Sequence, residues 1–308
     1  MLATPQRSSS EADAAALQAS ADCASSARAG KPYVLDFAQR IGSLAFGPYI
    51  DVQVVDHCNL GCRGCLHFAP LAKPRFLDLA EFERDLGELA RIPGLGSYLT
   101  SLALMGGEPL LHPRLPEIVR MTRSYLPDAP VMVASNGLLL RRMGDDFWEA
   151  LSGCDVSLVL SPYPLKVDYP ALVELAREHG VTASFAGDVT RSGRDKEAFF
   201  QLALDPDGAQ DPVYAFNRCP FGGSYLLLGE GRLWPCQVAA RSGALNAYFG
   251  TRILPQEEDS LALADIASVS DLDRFRRKAH PMCRFCDNDK LTVVEWGRSK
   301  RAPEEWLV

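Results

Sequence analysis

The 308 residues are enough for one large domain or two modest ones, and a chain of this length buries roughly three quarters of its unfolded surface without needing disulfides. Its 32 lysines and arginines are outnumbered by 39 aspartates and glutamates, so nucleic acid is not expected as a partner, because phosphate binding needs a basic face. No apolar run approaches a membrane span, and nine cysteines in a chain without a secretion signal favour metal ligation over disulfides.

The first thirty residues are rich in alanine and serine and lack the positive leader and apolar core of a signal peptide. Their acids, Glu11, Asp13 and Asp22, also argue against an organelle transit peptide. We therefore expect a disordered or loosely helical tail and a cytoplasmic protein. Apolar residues at helical spacing over 34–46 predict a short helix that covers one end of the fold.

From Ile50 onward, apolar strand-like runs alternate with amphipathic helical segments, which is typical of a parallel sheet. The first helix should begin near Asp78, whose side chain can cap it, with Glu81 as a capping-box partner. The predicted strands are 50–55, 99–104, 131–134, 156–160, 181–185 and 224–228, and the predicted helices are 78–92, 114–125, 145–151 and 169–179. Six strand–helix repeats predict a partial (β/α)6 TIM-type barrel.

Three cysteines, Cys58, Cys62 and Cys65, lie within eight residues shortly after the first predicted strand. Their spacing would place them on one face of a helix, so a buried helical stripe is the simplest alternative. Gly61 and Gly64 argue against it, because each glycine costs about 1 kcal/mol in a helix interior. We therefore predict a loop whose thiols converge on a metal. A four-iron cluster takes four ligands, so three thiolates would leave one iron open for a ligand that is not protein.

A second motif, Met-Gly-Gly-Glu-Pro at 105–109, follows the second predicted strand. Gly106 and Gly107 allow the backbone to approach a ligand closely, although a tight turn is the alternative. Asn136 and Ser161 follow the third and fourth predicted strands, and a turn is again the alternative for Asn136. In barrels of this type ligands gather at the carboxyl ends of the strands, where all of these residues fall.

Cys-x3-Cys-x2-Cys after a first strand, followed by Gly-Gly-Glu-Pro after a second, resembles the radical S-adenosylmethionine (SAM) superfamily. The resemblance implies the same partial barrel and a 4Fe–4S cluster on Cys58, Cys62 and Cys65. It implies that SAM binds the open iron through its amino and carboxylate groups. It also implies that the segment from Gly106 to Pro109 binds SAM, where Glu108 could accept from the ammonium group, and Asn136 and Ser161 are further candidates.

The cysteine loop departs from the family at one position. The aromatic residue that often precedes the third cysteine is replaced by Gly64, and Phe68 is the candidate that could contact the adenine instead. His57 and His67 flank the loop, where packing or hydrogen bonding within the loop is the simplest role, and a role beside the cluster is the alternative.

The last third of the chain contains a second pattern typical of a metal site, formed by Cys219, Cys236, Cys283 and Cys286. The first two flank a predicted hairpin with strands 225–228 and 232–234, and the last two form Cys-x2-Cys. Four such thiolates suit either structural zinc or an auxiliary 4Fe–4S cluster. Beside a radical SAM motif we favour the cluster. The layout resembles the shortened, single-cluster "twitch" form of the SPASM domain.

These motifs divide the chain into a tail and capping helix (1–48), a radical SAM barrel (49–213) and an auxiliary-cluster domain (214–308). Cys23 then lies in the tail and Cys154 at the amino-terminal end of the barrel, so neither is placed to donate hydrogen to a substrate radical. The charge runs at 257–259 and 274–278 are predicted to be solvated faces.

The resemblance implies an enzyme that cleaves SAM reductively to methionine and a 5′-deoxyadenosyl radical, which removes hydrogen from a substrate. An auxiliary cluster with four cysteines leaves no iron open for substrate, so its expected role is to accept an electron during a two-electron oxidation. The cysteine layout resembles the inosamine dehydrogenases of aminoglycoside pathways, which implies a sugar or cyclitol substrate. The resemblance also implies an electron donor such as flavodoxin or ferredoxin, and the catalytic side chain stays unassigned.

Two alternatives remain open. A peptide-modifying enzyme of the SPASM type usually carries a leader-binding domain, and fewer than fifty residues precede the barrel. A non-catalytic iron–sulphur or zinc protein is the other alternative. The motif at 105–109 argues against it, because an electron carrier or a structural protein needs no SAM pocket.

Overall fold

The computed structural model of the protein describes residues 47–186 and 198–308. The predicted helix at 34–46 and Cys23 lie outside the described residues. Within the described ranges, no helix is both long enough and apolar enough to cross a membrane.

The main sheet is built from six parallel strands with two antiparallel strands at one edge. The parallel strands are β1 (Tyr49–Val55), β2 (Ser101–Gly106), β3 (Val131–Ser135), β4 (Ser157–Leu160), β5 (Ala183–Phe185) and β7 (Tyr225–Gly229). The strand between β5 and β7 in the sequence, β6 (Ala198–Gln201), is not part of this sheet. The order of the parallel strands across the sheet is β5-β4-β3-β2-β1-β7, and β8 (Arg232–Trp234) and β9 (Leu261–Ala262) continue beyond β7. β6 pairs with β10 (Thr292–Glu295) in a separate antiparallel sheet. The predicted α/β class with a partial TIM-type barrel is confirmed.

The sixth parallel strand lies beside the first strand rather than beyond the fifth. β7 is in parallel register with β1, with Tyr49 opposite Tyr225 and Val52 opposite Leu228. The predicted hairpin follows directly, because Glu230 and Gly231 both adopt a positive φ (59° and 70°) between β7 and β8. Two such residues are the requirement of a type I′ turn, whose twist matches that of the strands.

Most of the helices cover one face of the parallel sheet, and those at 212–218 and 237–249 pack in the C-terminal part of the chain. The helices are α1 (Leu79–Ala90), α2 (Leu95–Tyr98), α3 (Leu115–Tyr125), α4 (Asp145–Gly153), α5 (Tyr169–Glu178), α6 (Pro212–Arg218), α7 (Gln237–Phe249) and α8 (Val269–Arg276). The predicted start of α1 is present, since Asp78 accepts a hydrogen bond from the backbone of Glu81 at 2.9 Å. The Glu81 carboxylate does not complete the predicted capping box and accepts instead from the Glu230 amide of the hairpin at 3.2 Å.

Side chains alternate between the two faces of each strand. On β1, Ile50, Val52 and Val54 pack into the main core beneath the helices, whereas Tyr49, Asp51 and Gln53 lie on the opposite, concave face.

A second core lies in the C-terminal part of the chain. Its fully buried members include Phe68, Ile253, Val293 and Trp306. Phe68 comes from just after the cysteine loop, so the C-terminal unit packs directly around the loop.

Most charged residues of the two runs are exposed, as predicted, but each run contains one buried charge. Asp259 is fully buried and accepts from the Met282 amide at 2.7 Å. Arg276 is also buried, and its guanidinium donates to the Gly223 carbonyl at 2.7 Å and to Asp273 at 2.7 Å. Both buried charges hold C-terminal elements together, because each one is satisfied by hydrogen bonds to distant parts of the chain.

Candidate functional site

The predicted site residues come together at the carboxyl ends of β1 to β4. The Gly107 amide donates to the Val55 carbonyl at 2.7 Å, and the Glu108 amide donates to the His57 carbonyl at 3.1 Å. The Ser161 amide donates to the Ser135 carbonyl at 2.9 Å, which joins the loops after β3 and β4. The cysteine loop, the glycine motif and the loops that carry Asn136 and Ser161 therefore form one continuous edge of the sheet.

Gly106 and Gly107 pack against the backbone at the start of the cysteine loop. Gly106 has a φ of 130°, and a Cβ there would lie 2.5 Å from the Val55 carbonyl oxygen. A Cβ on Gly107 would lie 1.9 Å from the His57 carbonyl oxygen. Any side chain would therefore push the two loops apart, so the glycines serve a contact within the protein in addition to any approach to a ligand.

Glu108 lies beneath this contact with 1% of its surface exposed. Its carboxylate accepts three hydrogen bonds, from the Ser135 hydroxyl at 2.7 Å, the Asn136 amide at 2.9 Å and the Leu110 amide at 3.1 Å. Burial raises the pKa of Glu108 to about 7, although these three donors act in the opposite direction. The side chain thus ties the end of β2 to the end of β3.

Asn136 connects this carboxylate to the cysteine loop. Its side-chain amide donates to the Asn59 side chain at 2.8 Å and lies 3.8 Å from the Cys58 sulphur. Its side-chain oxygen accepts from the Leu138 amide at 3.0 Å, which fixes the orientation of the amide group. Asn136 is therefore part of the hydrogen-bond network around the first thiol, in a turn whose backbone carbonyl also accepts from the Tyr169 hydroxyl at 3.1 Å.

The cysteine loop is not helical. Gly61 and Gly64 adopt positive φ values of 63° and 62°, the conformation that glycine permits at low cost. The Cys58 sulphur accepts from the Leu60 amide at 3.4 Å, and burial raises the pKa of this thiol to about 12. Burial would also raise the pKa of Cys65, but hydrogen bonding to His67 and the charge of its ring lower it below the ordinary value.

His67 belongs to a buried polar chain that the sequence analysis did not identify. The ring nitrogen Nε2 lies 3.2 Å from the Asp51 carboxylate, which also accepts from the Gln237 amide group at 2.7 Å. Burial opposes the charged imidazolium, but Asp51 and Cys65 outweigh it and raise the pKa of His67 to about 10. Because Gln237 directly follows Cys236, the chain of contacts reaches from the cysteine loop to the second cysteine group.

Two aromatic residues from distant parts of the chain also lie at the cysteine loop. The Trp296 indole nitrogen donates to the Cys62 sulphur at 3.2 Å, and the Tyr163 ring lies 6.1 Å from the Trp296 ring. Burial and the three loop thiols raise the pKa of Tyr163 well above its ordinary value.

Phe68, the residue expected near the adenine, is fully buried in the C-terminal core, so its ring is not available for that contact.

The second group of cysteines is assembled from three elements of the C-terminal unit. Cys219 ends α6, Cys236 precedes α7, and Cys283 and Cys286 lie in and just after a short 3-10 helix. Burial, followed by the influence of the other three thiols, raises the pKa of Cys286 well above its ordinary value. The four predicted thiols are therefore close enough to act on one another electrostatically.

Within residues 47–186 and 198–308, no three His, Cys, Asp or Glu side chains are grouped tightly enough to hold one metal ion. A four-iron cluster does not require its cysteines to converge on a single ion, because each cysteine ligates a different iron. Cys154 lies apart from both cysteine groups, at the end of α4, where its carbonyl accepts from Arg123 at 2.7 Å.

Residues 52–162 match the family model described as the Radical SAM superfamily. The match runs from β1 to the loop after β4 and includes the cysteine loop and the segment from Gly106 to Pro109. The superfamily implies a 4Fe–4S cluster and SAM as cofactors.

Two similar proteins carry the name GTP 3′,8-cyclase. One, from Chlorobaculum tepidum, is 36% identical over 111 residues, and the match covers 36% of this chain and 32% of the relative, about a third of its length. The other, GTP 3′,8-cyclase 2 from Mycobacterium tuberculosis, is 27% identical over 264 residues, which cover 79% of this chain and 71% of the relative. Among solved structures, BtrN in complex with AdoMet and 2-DOIA has a TM-score of 0.49 at 16% identity and covers 79% of this chain and 93% of the BtrN chain.

Replacing Gly107 with alanine should disrupt the cysteine loop. The new Cβ would lie 1.9 Å from the His57 carbonyl oxygen and 3.1 Å from the Cys58 nitrogen, and overpacking of this kind costs typically about 1–3 kcal/mol. We expect a lower apparent melting temperature and less bound iron after anaerobic reconstitution. Gly153→Ala is the matched control, because nothing lies within 4 Å of its new Cβ. Equal iron retention in the two variants would contradict this account of the contact.

Proposed function

We propose that Cys58, Cys62 and Cys65 hold a 4Fe–4S cluster whose fourth iron binds SAM. The donor set supports this fit, because thiolates are the ordinary ligands of such clusters and three of them leave one iron open. Each sulphur also has a donor beside it, namely the Leu60 amide, the Trp296 indole and the His67 ring. When bound, the cluster and SAM supply a 5′-deoxyadenosyl radical that removes a hydrogen atom from the substrate.

SAM is proposed to lie against the segment from Gly106 to Pro109, with Asn136 and Ser161 nearby. An ionised carboxylate can accept at about four positions, and protein donors use three of those on Glu108. The remaining position could accept from the SAM ammonium. The same three bonds hold the carboxylate rigidly, so no side-chain freedom has to be lost when SAM binds.

The second proposal assigns an auxiliary 4Fe–4S cluster to Cys219, Cys236, Cys283 and Cys286. The mutual influence of the four thiols in a half-buried group supports it. Four protein ligands would occupy every iron, so this cluster would supply an electron acceptor and no open position for substrate. The proposal of a two-electron oxidation rests on that four-thiol group, because the oxidation needs an electron acceptor. The boundaries 1–48, 49–213 and 214–308 belong to the same proposal.

We propose a sugar or cyclitol alcohol as the substrate, because two buried oxygens on the concave face, Asp51 Oδ1 and Gln53 Oε1, have no hydrogen-bond partner in the protein and could accept from its hydroxyl groups. From β1 to β4 and on β7 the strand residues of this face include Asp51 and Gln53 and no lysine or arginine, whereas Arg232 of β8 lies on the same face opposite Gly229. A triphosphate requires several cationic donors, of which arginine is the commonest in bidentate contacts. Oxygen acceptors such as those of Asp51 and Gln53 would repel phosphate but can accept from a hydroxyl or an amine.

The similar proteins named GTP 3′,8-cyclase favour a second candidate, which is chemistry on GTP. The two candidates share the radical SAM chemistry and differ in what the barrel holds. Both require an electron donor, and flavodoxin or ferredoxin is the proposed class of partner.

The iron content should report the two cysteine groups separately. Anaerobically reconstituted protein should bind about eight irons per chain, and a Cys58, Cys62, Cys65 triple alanine variant should bind about half as many. Iron and zinc can both be counted by elemental analysis of the purified protein. About four irons together with tightly bound zinc would show that the second group is a structural zinc site.

Removing the charge of Glu108 should weaken SAM binding. In Glu108→Gln we expect the loss of one charge-assisted hydrogen bond, which is worth roughly 1.5–3 kcal/mol, or about ten- to a hundredfold in affinity. Equilibrium dialysis of cluster-loaded protein measures this directly. Ser135→Ala is the control, since it removes a donor to the same carboxylate but leaves the charge in place. Unchanged SAM affinity in Glu108→Gln would limit the residue to its role in joining β2 and β3.

The product distinguishes the two candidate reactions. With a sugar or cyclitol substrate, we expect a product lighter by two hydrogen atoms and carrying no solvent deuterium at the oxidised carbon. Cys154→Ala should keep this turnover, whereas Cys236→Ala should lose it while retaining SAM binding. Mass spectrometry of parallel incubations with GTP provides the second arm. A cyclised nucleotide from GTP, with no oxidation of any polyol, would replace the dehydrogenase assignment with the cyclase one.

A further inference from the structure

The short segment that follows β10 is bonded to the cysteine loop on both sides of Cys62. The Arg63 amide donates to the Gly297 carbonyl at 2.8 Å, and the Ser299 amide donates to the Gly61 carbonyl at 2.9 Å. These two bonds form a short antiparallel bridge between Cys62 and Arg298. The backbone therefore fixes the distance between Trp296, the residue just before this bridge, and the Cys62 sulphur.

The indole of Trp296 is suited to one task in this position. An indole nitrogen can only donate a hydrogen bond, so at 3.2 Å the Cys62 sulphur is the acceptor. The ring is half-buried and lies beside Tyr163, which restricts its rotation. The N–H group is thus directed at a sulphur atom that the proposed cluster would use as a ligand.

We propose that Trp296 is a positioning residue that tunes the SAM-binding cluster, an inference that rests on the proposed function of Cys58, Cys62 and Cys65. Hydrogen bonds to cluster sulphurs raise the reduction potential, because they offset part of the negative charge that the cluster gains on reduction. The Trp296 N–H therefore makes the cluster easier to reduce. The residue comes from the C-terminal unit, so that unit contributes directly to the chemistry of the radical SAM domain.

Other donors at the loop differ from Trp296 in a way that matters for a test, and the Tyr163 hydroxyl, which also hydrogen-bonds the Cys62 sulphur, is left in place by a change at Trp296. Leu60 donates through its backbone amide, which no side-chain substitution removes. His67 is engaged with both Cys65 and Asp51, so replacing it would change a charge and break a second contact. Trp296 is neutral, and phenylalanine keeps an aromatic ring while removing only the N–H group and part of the ring.

The experiment compares Trp296→Phe with the wild type and with Trp148→Phe. Trp148 is a buried tryptophan of α4 that stacks on His179 at 4.5 Å, away from the cysteine loop. An anaerobic redox titration followed by electron paramagnetic resonance gives the midpoint potential of each cluster, and added SAM identifies the one that binds it. We expect a more negative potential for that cluster in Trp296→Phe only, with unchanged iron content and an unchanged potential for the other cluster.

An unshifted potential in a Trp296→Phe variant that keeps its iron would overturn the inference and leave the proposed function intact. If Trp296→Phe loses iron, Trp296→His tests the same point, because it restores a ring N–H. Iron retention and a wild-type potential in Trp296→His would support the N–H group as the cause, whereas equal loss in both variants would overturn it. A wild-type protein that binds no iron at the loop would overturn the proposed function and this inference together.

Discussion

The contact between the Gly106–Gly107 backbone and the first residues of the cysteine loop is the constraint on which the site depends. Two carbonyl oxygens occupy the space where side chains would project, so β2 can end there only with glycine. The same docking places Glu108 in a buried position, where its carboxylate needs several donors to offset the cost of desolvation. Those donors lie on the loop after β3, and Asn136 extends the network to Cys58. One steric requirement thus sets the position of the first thiol.

The C-terminal unit depends on the same loop from the other side. Phe68 follows the loop and is fully buried in the C-terminal core, and the buried Trp306 donates its indole N–H to the Cys65 carbonyl at 3.0 Å. This core therefore cannot form completely unless the loop is in place. Because metal ligation orders the residues that carry the ligands, binding at the loop and packing of the C-terminal unit are expected to be energetically coupled. The barrel and the C-terminal unit are in this sense one structure.

The sequence analysis identified features that have local causes. Apolar runs indicated five parallel strands and a sixth at 224–228, which the structure has at Tyr225–Gly229. The glycines at 61 and 64 indicated a loop rather than a helix. It missed features that depend on contacts between distant residues. Asp259 and Arg276 lie in charge runs that give no indication of burial, and their partners are 23 and 53 residues away. Trp296 is 234 residues from Cys62, and no periodicity connects the two.

The buried pair of His67 and Asp51 is better explained by the residues that it connects than by a contribution to the free energy of folding. Removing two charges from water costs several kcal/mol per ion, and well-packed apolar residues are often as stable as such a pair. The raised pKa of His67 keeps the ring charged at neutral pH, and any stabilisation from the pair is lost as the pH rises from the ordinary value toward about 10. Apolar residues in these positions could not form the other hydrogen bonds of the pair. His67 hydrogen-bonds Cys65, and Asp51 accepts from Gln237, the neighbour of Cys236. The pair therefore links the two cysteine groups through the concave face of β1.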